Sequence, residues 1–183
     1  MKKEEAPGPL ERVRLFVNTV HLEPPGPDEF GSPDRGAAWL RTHGLSDRPL
    51  TAGEATRLRE LREIIRAALL AHNGEGDEQA TGLALAQALS GTCAQWSRDG
   101  GTLALEPAGD SNVDRIRSAF AIAIYDAMAK GTWSRLKACR KDTCLYAFFD
   151  HSKNGSGTWC DMATCGNRVK AAKRRARSGV HSH

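Results

Sequence analysis

Two pairs of cysteines with the same spacing, Cys139/Cys144 and Cys160/Cys165, bracket a loop-rich insert of 15 residues. A segment this short cannot bury enough apolar surface to fold alone. Four thiolates in two clusters are what a tetrahedral structural zinc site needs, and a bound Zn²⁺ can supply on the order of 10–16 kcal/mol of apparent binding energy. The pattern therefore predicts one structural Zn²⁺ on Cys139, Cys144, Cys160 and Cys165. Asp150 and His151 are the competing ligands, with His151 in place of one thiolate as the alternative set. Four thiolates leave no open position for water, and no nucleophile–base pair is assembled elsewhere, so no enzyme activity is expected.

Reading the cysteines as ligands and not as disulfides follows from compartment. The start of the chain has two lysines but no apolar core of a signal peptide, and no run approaches the roughly 18 apolar residues of a membrane span. A cytoplasmic protein is expected, nucleoid-associated when bound to DNA. The fifth cysteine, Cys93, is expected to be a small buried residue. The formal charge of +4 hides an asymmetry: from Arg135 onward the chain carries +8, and the part before it −4. An acidic body joined to a basic end points to an anionic partner met by the C-terminal part.

The body, residues 1–134, reads as helical. Val13, Phe16, Val17 and Val20 make one apolar face in the segment 10–20, where Asn18-Thr19 either ends the element or bonds to a neighbouring loop. Ser32-Pro33-Asp34 starts a second helix, in which Trp39 is expected in the core. Thr51 and Glu54 form a capping box before the longest helix, which runs to about His72. Its stripe is Leu58, Leu61, Ile65 and Leu69, while Arg57, Arg59, Glu60, Arg62, Glu63 and Arg66 read as a solvated mixed-sign face. Residues 78–89 are helical. Residues 92–98 and 102–106 make a β-hairpin around a glycine turn, and Ser111 with Asp114 caps a last long helix ending at Gly131.

Residues 135–183 form the second unit. The stretch 145–150 reads as a strand, with Tyr146 and Phe148 on one side and Ala147 and Phe149 on the other; 154–157 is a turn and Thr158-Trp159 the start of a return strand. Cys165 falls near the start of a helix over roughly 163–178, giving a shape similar to a treble clef. The fold class is thus mainly α with a small β-hairpin, a helical N-terminal domain followed by a treble-clef-like zinc finger. On the last helix Lys170, Lys173, Arg174 and Arg177 share one side, with Arg175 beside them, a plausible surface for phosphates. Asn167 and Arg168 stand nearest the bases, where asparagine suits adenine and arginine guanine. Their structural alternatives are an amide bracing the zinc knuckle and an arginine paired with an acid such as Asp150 or Asp161.

Cys165-Gly166-Asn167-Arg168, with Arg135-Leu136-Lys137-Ala138-Cys139, Phe149-Asp150-His151-Ser152 and Trp159-Cys160-Asp161-Met162, closely resembles the CGNR zinc-finger family. Phe16-Val17-Asn18-Thr19 followed by Ala38-Trp39-Leu40 resembles the ABATE-type domain that accompanies that finger. The resemblance implies a stress-responsive transcription regulator whose finger binds DNA. Lys153 is the single base between the second and third cysteines, where family members tend to carry arginines, which shifts the weight of phosphate contact to the C-terminal helix. The leading reading is a DNA-binding regulator with a sensing or dimerising body. A protein-docking module and an RNA-binding protein are the alternatives. Target sequence, effector and oligomeric state, a homodimer included, are left open.

Overall fold

The computed structural model describes residues 5–99 and 101–179 of the chain. Its elements are α1 (Leu10–Val17), α2 (Pro33–Thr42), α3 (Ala52–Ala71), α4 (Glu78–Leu89), β1 (Cys93–Asp99), β2 (Thr102–Ala108), α5 (Asn112–Ala129), β3 (Leu136–Ala138), β4 (Ala147–Phe149) and α6 (Asn167–Gly179). The architecture is mainly helical with two small antiparallel ribbons, β1–β2 and β3–β4.

The predicted caps form. Ser32 Oγ accepts from Arg35 N, Thr51 and Glu54 make the reciprocal capping box, and Ser111 Oγ accepts from Asp114 N. Each satisfies amides that the first helical turn leaves without partners. The first helix is shorter than its apolar face suggested. It ends at Val17, and Val20 lies beyond it.

The core gathers Phe16, Phe30, Leu40, Leu58, Ile65, Leu69, Ile116 and Phe120, all fully buried, each contributing roughly 1.5–3 kcal/mol by leaving water. Phe16 sits at its centre, with ring contacts to Phe30, Trp39 and Phe120. Trp39 is half-buried against this core and not enclosed by it.

Two expectations fail here. Arg62 and Arg66 are not solvated; they are 4% and 3% exposed. Arg62 forms a two-pronged ion pair with Asp28 at 2.6 and 2.8 Å and donates to Thr19. Arg66 donates to Glu63, Val17 O and Leu145 O. Fork-shaped guanidinium groups can be buried when each N–H has such a partner. Cys93 is exposed: β1–β2 is a two-stranded ribbon that packs mainly along α5. Trp96 and Leu105, directly paired across that ribbon, are exposed as well.

The inner half of the C-terminal unit shares the main core. Leu136, Ala138, Ala147 and Phe149 belong to the same hydrophobic cluster as the helices. The ribbon itself differs from the expected one. β4 pairs with β3, in register Leu136↔Phe149 and Ala138↔Ala147, and Thr158-Trp159 forms no strand. Thr158 O instead accepts from Arg140 N and from the Asn73 side chain. The alternation expected for this strand holds: Phe149 and Ala147 face the main core, while Phe148 packs with the cysteines.

Candidate metal centre and basic helix

Cys139 follows β3 directly, and its N–H donates to Tyr146 O. Between them the chain turns tightly, with Cys144 N and Leu145 N both donating to Lys141 O. Leu145 takes a left-handed conformation (φ +51°), costly for a residue with a Cβ, and its carbonyl is held by buried Arg66. The second pair enters through a π-turn, Met162–Gly166, capped by Asp161, whose carboxylate accepts from Thr164 N. Gly166 lets the turn pack closely: a Cβ would lie 2.4 Å from Met162 Sδ and 3.0 Å from Trp159 Cδ1, so the Met162 side chain would have to move aside.

These turns bring the ligand atoms of Cys139, Cys144, Cys160 and Cys165 within 4.8 Å of one another. Cys160 Sγ is 3.7 Å from both Cys144 Sγ and Cys165 Sγ, against about 3.8 Å expected between two sulfurs bound tetrahedrally at 2.3 Å. Hydrogen bonds from the Cys144 and Cys160 thiols push the Cys139 pKa far down. Donating to Cys139 in turn pushes Cys144 and Cys160 up. The protein alone thus stabilises one thiolate in this cluster at the expense of its neighbours, whereas a cation would favour the ionised form of all four. The donor set, its spacing and its burial fit a soft tetrahedral metal ion.

The rival ligands stand elsewhere. His151 Nε2 donates to Glu5 O and its ring packs on Phe149. Asp150 is 3% exposed and organises the insert. Its carboxylate accepts from Lys137 Nζ at 2.9 Å, Ser152 N at 2.9 Å and Gly157 N at 2.7 Å. Burial opposes the charge, but these bonds more than offset it and hold the Asp150 pKa at about 2.

Beyond Gly166 the backbone runs straight into α6. Asn167, Lys170, Ala171, Arg174 and Arg175 line one open concavity along the helix, and all five are exposed. The side chains of Lys173 and Arg177 lie outside the described residues. Arg168, 64% exposed, pairs with an acid, as its structural alternative expected. Its partner is Glu23 of the body, at 2.9 Å. Glu23 also accepts from Lys141 Nζ and Thr143 Oγ1, and those two bonds hold its carboxylate below the usual range.

Several contacts that fix the finger on the body are not legible in the sequence. The Asn18 amide both accepts from Ala147 N (2.7 Å) and donates to Ala147 O (2.8 Å), standing in for a neighbouring strand on β4. Asn73 donates to Ala138 O and Thr158 O, and His72 Nδ1 donates to Leu136 O. Of the two roles expected of Asn18, it ends its helix, but its side chain bonds to strand β4 and not to a loop. For Arg66 the signal was phase: it lies one turn after Arg62, bordering the stripe of Leu58, Leu61, Ile65 and Leu69.

Residues 135–178 match the family model of the CGNR zinc finger. Residues 13–130 match the ABATE model, described as "Putative stress-induced transcription regulator". No curated protein matches the chain. Among the described residues no helix is long and apolar enough to cross a membrane.

Proposed function

Because the chain belongs to the ABATE family and carries a CGNR zinc finger, we propose that it is a DNA-binding transcription regulator of the cytoplasm, without catalytic activity of its own. One structural Zn²⁺ on Cys139, Cys144, Cys160 and Cys165 closes the knuckle and fixes the start of α6. The ion offsets half of the charge of the four thiolates and leaves no coordination position open to substrate.

The observation that carries the reading is the exposed face of α6, where Asn167, Lys170 and Arg174 follow one another at helical spacing around the small Ala171. Small residues between long cations let a helix approach a phosphate backbone closely, and the cations displace condensed counterions as they bind. Asn167, in the first turn beside the metal knuckle, is the residue best placed for a base edge.

The test is selection of bound fragments from a random duplex pool, with and without chelator, followed by a salt titration of the enriched sequence. If about five cations meet phosphate, log K falls against log salt with a slope near −4 to −5, and chelator abolishes the shift. A flat salt dependence overturns the proposal. Preferential competition by single-stranded RNA would reassign the nucleic acid.

A further inference from the structure

The helical body contains a cleft that the finger does not use. It lies between α3, α4 and α5, has a volume of about 440 Å³, and is closed on one side by Trp133 and Ser134. This is within the size range of small-molecule sites, which are mostly apolar with a few convergent polar groups. Leu85, Ile124, Met128 and Trp133 supply its apolar wall.

Gly82 lies in the middle of α4 and lines the cleft. Glycine inside a helix costs about 0.5–1 kcal/mol relative to alanine, and packing does not demand it here: a Cβ added at Gly82 meets nothing within 4 Å. The missing side chain leaves room in the cleft itself.

Thr81, Tyr125 and Ser134 line the cleft with hydroxyls that can donate or accept, so its charge and its acceptor-only groups come from Glu78 and His72. Glu78 is the one charged side chain among the described residues that line it. His72 Nδ1 donates to Leu136 O, since a carbonyl can only accept, so in the neutral ring Nε2 is an acceptor. Burial lowers the His72 pKa and favours that neutral ring. A carboxylate and a ring lone pair both ask for a donor, and the carboxylate asks for a positive one.

We propose that this cleft is a binding site for a small amphipathic cation, a flat apolar body carrying a protonated amine. The apolar body lies over Gly82 between Leu85, Ile124 and Trp133, and the amine meets Glu78 and His72. Its floor adjoins the finger, because Trp133 leads within three residues to Leu136, the carbonyl that His72 holds. The site belongs to the helical body and stands whether or not α6 binds DNA.

The test uses two probes with the same ring system and opposite charge, tryptamine and indole-3-propionate, titrated into the full chain by ligand-observed NMR at pH 7. Tryptamine should saturate in the range of about 0.1–1 mM, with indole-3-propionate at least about tenfold weaker. Glu78→Gln, an exposed first-turn position, should bring the two probes within about threefold of each other. Gly82→Phe should abolish tryptamine binding with the circular dichroism spectrum unchanged. No saturable tryptamine binding, equal or stronger binding of indole-3-propionate, or tryptamine binding indifferent to both variants would each overturn the proposal.

Discussion

Asn18 shows how much a single amide can carry in this chain. It is buried and answers both backbone groups of Ala147, which have no water to turn to. Asn18→Ala should therefore cost about 2–4 kcal/mol, the penalty for two buried groups left unpaired, read as a lower midpoint in urea unfolding. Asn18→Asp should restore little, since a carboxylate can accept from Ala147 N but cannot donate to Ala147 O. Asp28 gives a test in pH. Burial opposes its charge, but the two-pronged pair with Arg62 prevails and lowers its folded pKa. A depressed carboxylate contributes stability that is complete above its unfolded value, about 3.9, and is lost as pH falls through the lower folded value. The gap between wild type and Asp28→Asn in urea unfolding should be about 2 kcal/mol at pH 7 and should narrow below about pH 4. A gap unchanged down to pH 2 would show that the pair contributes through packing and not charge.

Among the elements, those governed by local chemistry were legible in the sequence and those governed by tertiary pairing were not. The caps at Ser32, Thr51 and Ser111, the stripes of α3 and α5 and the glycine-turned ribbon β1–β2 could be read because their causes lie within a few residues. The twin cysteine spacing gave the metal cluster for the same reason. The partner of β4 could not be read this way. Leu136–Ala138 is only three residues long, too short for a periodic signal, and is fixed by the core on one side and by Lys137–Asp150 on the other. The buried arginines of α3 were hidden by their chemistry, since a charged side chain is assigned to solvent until its partners on distant segments are known. For α6 the charge is legible in the sequence and the structure adds the face. Lys170→Ala and Arg174→Ala should each reduce the salt slope of DNA binding by about 1 and weaken binding nearly uniformly across sequences. Asn167→Ala should instead flatten sequence preference with the slope unchanged, as measured on the selected duplex and on a scrambled one.

Across the whole molecule, the C-terminal unit is held by two different means, which separate when the metal is removed. Its inner ribbon contributes Leu136, Ala138, Ala147 and Phe149 to the main core, and Asn18, Asn73, His72 and Arg66 bind its backbone from the body. Among the described residues its outer half has only a small cluster of its own, the cysteines with Phe148 and Trp159. That cluster is too small to offset the entropy of ordering the turns around it. Glu23 reaches across to Lys141, Thr143 and Arg168, but three bonds to one partly exposed carboxylate contribute little against that entropy. Chelation should therefore not unfold the chain as one unit, nor should it release residues 135–179 as a block. Amide hydrogen exchange after chelator should rise over 139–145 and 159–170, while 136–138 and 147–149 stay as protected as α3 and α5. Loss of protection across the whole of 135–179 would mean that the metal, and not the body, holds the ribbon. Restored protection on adding back Zn²⁺ would show that the outer half folds around the ion on a surface already in place.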